Sequence, residues 1–263
     1  MARAGRWPAV ELAACHLDLS DATRDLGAAL AQARDAGTSV YCLGYWGEFI
    51  GLPETVDWVR RAIEACGRHG VPMVNGSAGW LVQEPRLWDR DWRKNGSAMA
   101  TDEDYAVVAA AYRGLADEAA AVGVRIGIEV HPNTVHDTVP AAARLLSLID
   151  RRNVTVTLDP ANAVPLAPDD PAELALLGGG PTYFHLKNCL AREGVADFTV
   201  DAANGVVDNY RWLAALLAAG TCPAVAVEYC GAGDPHPRLS AARRYLDDTL
   251  ALLTGRPAGR GPQ

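Results

Sequence analysis

Two observations predict an α/β fold of parallel strands wrapped by helices and closed into a (β/α) barrel. Short aliphatic and β-branched runs alternate with longer Ala-rich stretches along most of the 263 residues. Strict alternation of this kind implies parallel strands joined by helical crossovers. Four of the apolar runs also end in an ionisable residue, at Glu129, Asp159, His185 and Glu228.

Strands are expected at 9–16, 39–43, 71–75, 125–131, 154–159, 183–187 and 224–229. Helices are expected near 21–36, 55–69, 102–122, 139–149, 171–177, 209–219 and 239–253. The run Asp102-Glu103-Asp104 suits the positive end of a helix dipole. Gly123 and Gly220 mark helix ends, where left-handed caps favour glycine. The segments 76–101 and 188–208 are long connections, the length at which loops serve as lids or binding loops. Residues 1–254 are expected to form one barrel domain and 255–263, rich in Gly and Pro, a flexible tail. Seven strands fall one short of the eight that close such a barrel. The segment from Ala2 to Leu12 reads as the end of a helix running into a strand, so the expectation is either that an initial βα unit is missing or that the barrel closes imperfectly. An open doubly wound sheet is the structural alternative.

Composition excludes several classes. Apolar residues at 49% and charged residues at 21% fit a globular chain rather than a disordered one. No apolar run approaches the roughly 18 residues that span a bilayer, and the N-terminus lacks a signal-peptide core. A soluble cytoplasmic protein is expected. The net charge is −8, and basic residues are scattered apart from a group at Arg86–Lys94, so a nucleic acid partner is not expected. The six cysteines form no CxxC pair. They are read as mostly buried apolar residues in a reducing compartment.

The strand ends carry the chemistry. In a parallel barrel they open on one face, where active sites lie. Side chains two apart on a strand point the same way, which pairs Glu129 with His131 and His185 with Lys187. The steps from Glu129 to Asp159 and on to His185 suit one crossover each, at roughly 30 residues per unit. Three carboxylates and an imidazole converging there would repel one another unless a cation joined them. Oxygen-rich sites with one His suit Mn²⁺ or Mg²⁺, with Co²⁺ or Zn²⁺ as alternatives.

Glu129 in Ile-Glu-Val-His, Asp159 in Leu-Asp-Pro-Ala-Asn, His185 in His-Leu-Lys and Glu228 in Val-Glu-Tyr together resemble the metal set of the xylose isomerase-like TIM barrels. That superfamily holds sugar and sugar phosphate isomerases and epimerases, inosose dehydratase-like proteins and the endonuclease IV branch. The resemblance places the four ligands on the fifth to eighth strands, so that the first strand seen here becomes the second. It implies metal-dependent isomerisation or epimerisation of a sugar, sugar phosphate or cyclitol through a metal-stabilised enediolate. Glu129 and Glu228 would then act as ligands and as proton-transferring groups. A dehydratase or lyase using the same metal is the enzymatic alternative, and a sugar-binding barrel without activity is the other. Ketose 3-epimerases of the superfamily carry a Glu where this chain has Val135 and a His where it has Asn162, so a close relationship to them is not expected. Six His residues are too few for the endonuclease IV branch.

Lys187 is a candidate to stabilise an oxyanion or to pair with a ligand carboxylate. His131, Asn162, Asn75 and Arg192 are candidate substrate contacts, His131 because it shares the face of Glu129. His16 ends the first strand run as a further candidate, whereas His136 has no assigned role. Trp80, Trp88 and Trp92 could wall a sugar ring or pack on one another. Arg86, Arg90 and Arg93 could hold an anion or stand in solvent. The expected partner is a small carbohydrate or cyclitol, with a homo-oligomer compatible with the Ala-rich helices.

Overall fold

A computed structural model of the chain describes residues 7–13, 17, 22–84, 90–231 and 233–255. Seven strands form one sheet. They are β1 (Ala9–Leu12), β2 (Ser39–Trp46), β3 (Met73–Ser77), β4 (Arg125–Glu129), β5 (Val154–Leu158), β6 (Thr182–Leu186) and β9 (Ala224–Val227). They pair in that order, each parallel to its neighbour. An antiparallel hairpin of β7 (Leu190–Arg192) and β8 (Val195–Asp197) fills part of the connection after β6. The helices are α1 (Ala22–Asp35), α2 (Thr55–His69), α3 (Asp102–Ala121), α4 (Val139–Ile149), α5 (Pro160–Ala163), α6 (Asn209–Ala219) and α7 (Pro235–Thr254). The sheet curls into a nearly closed barrel.

Strand alternation sorts the side chains. Ile126 and Ile128 of β4, Val156 and Leu158 of β5, and Phe184 and Leu186 of β6 pack outward against the helices. Burying each such side chain stabilises by about 1.5–3 kcal/mol, so the two outer cores dominate the fold. Inside the barrel, Cys42, Met73 and Tyr183 form a small apolar plug. Gly127 faces that interior. A Cβ there would stand 2.6 Å from Asn75 Oδ1 and 2.7 Å from Thr157 Oγ1, so glycine leaves room for the bond between those two side chains.

Caps fix the helix starts. Thr101 accepts from the Asp104 amide while the Asp104 carboxylate accepts from the Thr101 amide, a full capping box at α3. Gly123 and Gly220 adopt φ of 73° and 65°, in the left-handed region expected of them.

Several boundaries differ from those expected. β2 runs on past Leu43 to Trp46 because Gly44 allows a close approach, with the site of its missing Cβ 3.3 Å from Leu12 O. Residues 171–177 form a 3-10 helix rather than an α-helix. α7 starts at Pro235, where Asp234 accepts from the His236 amide. The hairpin occupies a segment expected to be loop. The segment after β3 is pinned to the β4–α4 loop: Leu81 N donates to Asn133 O at 2.8 Å, and Asn95 Nδ2 to Asn133 Oδ1 at 2.8 Å. Cys15, His16, Arg86, Trp88 and the tail 256–263 lie outside the described residues. Cys42, Cys66 and Cys189 are buried, but Cys222 is half-buried and Cys230 exposed. Among the described residues no helix is long and apolar enough to cross a membrane.

Among the described residues β1 and β9 each pair on one side only. A cavity of about 1020 Å³ lies along this seam and reaches the barrel mouth. Its apolar wall comes from Val10, Leu213, Leu216, Leu217, Leu246 and Leu250.

Candidate metal centre

The four strand-end residues converge. One ligand atom from each of Glu129, Asp159, His185 and Glu228 lies within 4.8 Å of the others. Glu129 closes β4 and His185 lies within β6, while Asp159 and Glu228 directly follow β5 and β9. Parallel register brings these ends to one level, with Glu129 beside Thr157 and Leu186 beside Val227.

Each ligand is oriented by a specific neighbour. Asp159 caps α5: its Oδ1 accepts from the Asn162 amide at 3.2 Å, which turns Oδ2 toward the centre. Asn162 Nδ2 donates to Glu129 Oε1 at 3.2 Å and to Val130 O at 3.1 Å. His185 Nδ1 stands 3.6 Å from Glu129 Oε1, 3.3 Å from Glu228 Oε2 and 4.0 Å from Asp159 Oδ2. Its Nε2 lies 3.3 Å from Glu11 Oε2, and Tyr183 OH donates to the same oxygen at 2.9 Å. Lys187 Nζ pairs with Asp159 Oδ2 at 2.8 Å and Glu228 Oε2 at 3.1 Å, and lies 4.6 Å above the Phe198 ring. Cys230 Sγ donates to Glu228 Oε1 at 3.2 Å.

Electrostatics follow from burial and proximity. Burial raises Asp159, Lys187 opposes it, and the result is a carboxyl pushed up to about 7. Burial also raises Glu129 and Glu228, but His185 outweighs it for Glu129, and Lys187 with His185 outweighs it for Glu228. Both therefore lie below the usual range, Glu228 well below. Burial lowers His185, yet Glu129 and Glu11 outweigh it and hold the imidazolium well above its usual value. Lys187 is likewise held well above its usual value by Asp159 and Glu228, against its burial. In the metal-free protein, then, protons and an ammonium do the neutralising.

A divalent cation fits this donor set. Two atoms aimed at the centre, His185 Nδ1 and Asp159 Oδ2, are buried without a directed hydrogen bond. Buried polar atoms normally find one. Lys187 meets Asp159 Oδ2 only as an ion pair.

The remaining sequence-predicted residues fall in three places. Asn75 is buried beneath the centre, donating to Glu11 Oε1 at 3.1 Å and accepting from Thr157 Oγ1 at 2.6 Å. His131 sits at the mouth between two indoles, 5.0 Å from Trp46 and 5.3 Å from Trp80, with burial lowering its pKa. Arg192 is exposed on the hairpin, apart from the converged residues. Arg90 is exposed, and Arg93 pairs with Asp91 at 2.8 Å. Trp92 packs on Phe198 rather than at the mouth. His136 bonds Ala78 O at 2.8 Å and is lowered to about 4 by burial, outside the centre. Sequence reasoning missed Glu11, Tyr183 and Trp46. Glu11 had a readable mark, a carboxylate alternating with Val10 and Leu12 in a strand, but no second polar residue to draw attention to it.

The carboxylate–imidazole cluster lies at the C-terminal mouth of a parallel barrel, the face where barrels of this class carry their active sites. The chain belongs to the xylose isomerase-like TIM barrel family, whose model matches residues 2–249. Among curated proteins none matches it in sequence. In structure it is similar to the IOLI protein solved with a zinc atom, with TM-score 0.74, 16% identity, and coverage of 96% of this chain and 91% of that one. It is similar to an L-ribulose 3-epimerase, with TM-score 0.73, 16% identity and coverage of 99% and 91%. It is also similar to the probable 3-DHS dehydratase AsbF of Bacillus anthracis, with TM-score 0.71, 14% identity and coverage of 93% and 90%. At these identities the likeness is one of fold.

Proposed function

We propose that this chain is a divalent-metal-dependent isomerase or epimerase of a carbohydrate or cyclitol. The observation that carries the reading is the convergence of Glu129, Asp159, His185 and Glu228, with His185 Nδ1 and Asp159 Oδ2 buried at the centre and held there by ion pairs alone. These four residues would hold the cation, and Mn²⁺ or Mg²⁺ suits three carboxylates and one imidazole. When bound, the cation supplies Lewis-acid stabilisation of the negative charge that develops on substrate oxygens.

The chain's own groups handle the proton. Glu129 and Glu228 are held as carboxylates by His185 and Lys187, so either is ready to accept a proton from a carbon next to a carbonyl. The other takes a proton from solvent and delivers it to the carbon, while the first gives its own proton up to solvent. Return to the same carbon from the opposite face gives an epimer, and return to the neighbouring carbon gives an isomer. Lys187 donates toward the oxygen that gains charge and keeps Asp159 and Glu228 in place. His131, beside Trp46 and Trp80 at the mouth, would meet a substrate hydroxyl, whereas Asn162, expected from sequence to do the same, is buried and orients Glu129 instead.

Incubation of Mn²⁺-loaded protein with ketoses and cyclitols in D₂O tests this. Deuterium entering a carbon-bound position, lost in Glu129→Gln and Glu228→Gln, is the expected result. Full exchange in either variant overturns the two-carboxylate assignment. A deoxy or enone product would assign a lyase instead.

A further inference from the structure

Lys187 follows β6 and carries its charge into the barrel mouth, where its side chain is only 7% exposed. A lysine ammonium is compact and strongly hydrated, and it rides on a flexible four-carbon stem. Ion pairs alone hold such a stem poorly while water competes for the charge. The hairpin after β6 supplies a cover. Its tip, Glu193 and Gly194, has φ of 49° and 84°, the positive pair that a tight two-residue turn requires. The turn sends the chain back, and Phe198, just after β8, comes to stand over the lysine with its ring centre 4.6 Å from Nζ. That is inside the roughly 6 Å at which the negative face of a ring attracts a cation.

A second loop backs the ring. Trp92, buried in the segment after β3, stacks on Phe198 with ring centres 6.4 Å apart and planes 24° apart. Its amide donates to Gly194 O at 3.0 Å, and Arg93 Nη2 donates to Glu193 O at 3.4 Å. The approach is close enough that a Cβ on Gly194 would run into Asp91 and Arg93. The two long connections therefore meet at the hairpin tip and again at the Phe198 ring, and the ring leads on to Lys187.

We infer that Phe198, backed by Trp92, is a positioning residue: its ring holds the Lys187 ammonium against Asp159 and Glu228. This rests on the role proposed for Lys187 at the metal centre and adds what keeps it in place. Leucine at 198 would retain apolar contact with the core that Phe198 packs on but lose the attracting ring face, whereas tyrosine would retain both.

Nuclear magnetic resonance on the full chain tests it. The chain has two lysines, and Lys94, with a side chain 70% exposed, is a built-in reference. Lysine labelled with ¹³C at the ε-carbon gives two methylene signals, assigned with Lys94→Arg. Without added metal, the Lys187 signal is expected upfield of Lys94, because protons over a ring face are shielded. Its relaxation order parameter is expected well above that of Lys94. In Phe198→Leu the order parameter is expected to fall toward that of Lys94, in Trp92→Leu to fall part of the way, and in Phe198→Tyr to stay. A wild-type Lys187 as mobile as Lys94 overturns the inference, whether or not the variants fold. So does a folded Phe198→Leu in which Lys187 stays as ordered as before. The measurement needs no metal, so a failed positioning role is distinguished from a failed metal centre, which Mn²⁺ titration reads.

Discussion

Glu11 Oε2 lies 3.3 Å from His185 Nε2, on the opposite edge of the imidazole from Glu129, Asp159 and Glu228. The first and sixth strands of the barrel thus meet through one ring. A carboxylate at Nε2 holds the proton there and leaves Nδ1 as the donor to a metal. Such partners orient a ligating histidine and raise its basicity.

Replacing Glu11 by Gln is expected to weaken Mn²⁺ binding by about 10- to 100-fold, the usual cost of losing such a partner. Calorimetric titration checks it. Unchanged affinity would mean that packing alone orients His185.

Lys187 serves the metal-free state. Its ammonium neutralises Asp159, whose side chain is fully buried. At pH 8, where Asp159 is ionised, Lys187→Met is expected to lower metal-free stability by ~3 kcal/mol, because a buried charge is left unpaired. Saturating Mn²⁺ should restore most of that loss, since the cation takes over the neutralising role. Urea unfolding with and without Mn²⁺ measures both effects.

Protons and metal compete for the centre. His185 carries a proton well above the usual histidine range, and Asp159 keeps one up to about 7. Ligation requires both to be lost. Mn²⁺ affinity is therefore expected to rise with pH between about 6 and 8, with protons released on binding. Titration in buffers of different ionisation enthalpy counts them. The sign for metal-free stability is the reverse. The folded Asp159 pKa of about 7 exceeds its ordinary 3.8, so its contribution is full below 3.8 and is lost as pH rises through about 7. Asp159→Asn should flatten that part of the pH profile.

The capping box at α3 gives a prediction independent of the site. Thr101→Ala is expected to cost ~1 kcal/mol in thermal or urea unfolding, with Mn²⁺ binding unaffected.

The seam gives another. Amides of β1 and β9, paired on one side, are expected to exchange with solvent faster than those of β4 and β5, which are paired on both. Exchange followed by mass spectrometry resolves these segments. Equal protection would mean that something covers the seam.

Much of this was legible before the structure. Local pattern marks strands and helices, so β3 to β6 and α2, α4 and α6 fell close to their expected places. The convergence of Glu129, Asp159, His185 and Glu228 was legible because four strands repeat one feature, an ionisable residue at the C-terminal end of an apolar run. What sequence could not give was distance between strands far apart in the chain. Glu11 precedes His185 by most of the barrel, and only the nearly closed sheet brings them together. Trp46 was hidden by Gly44, which reads as a strand terminus until the close approach of β1 explains it. Asn75 ends a strand as expected, yet its bonds run to Glu11 and Thr157 beneath the centre, a depth that strand position alone does not specify.

The central claim is that four strand ends form one metal centre. Its most direct test is calorimetric titration of metal-stripped protein with Mn²⁺, run beside Asp159→Ala. The account predicts one tight site per chain that the variant loses while remaining folded. A folded protein that binds no Mn²⁺, or binds it equally well without Asp159, would contradict it.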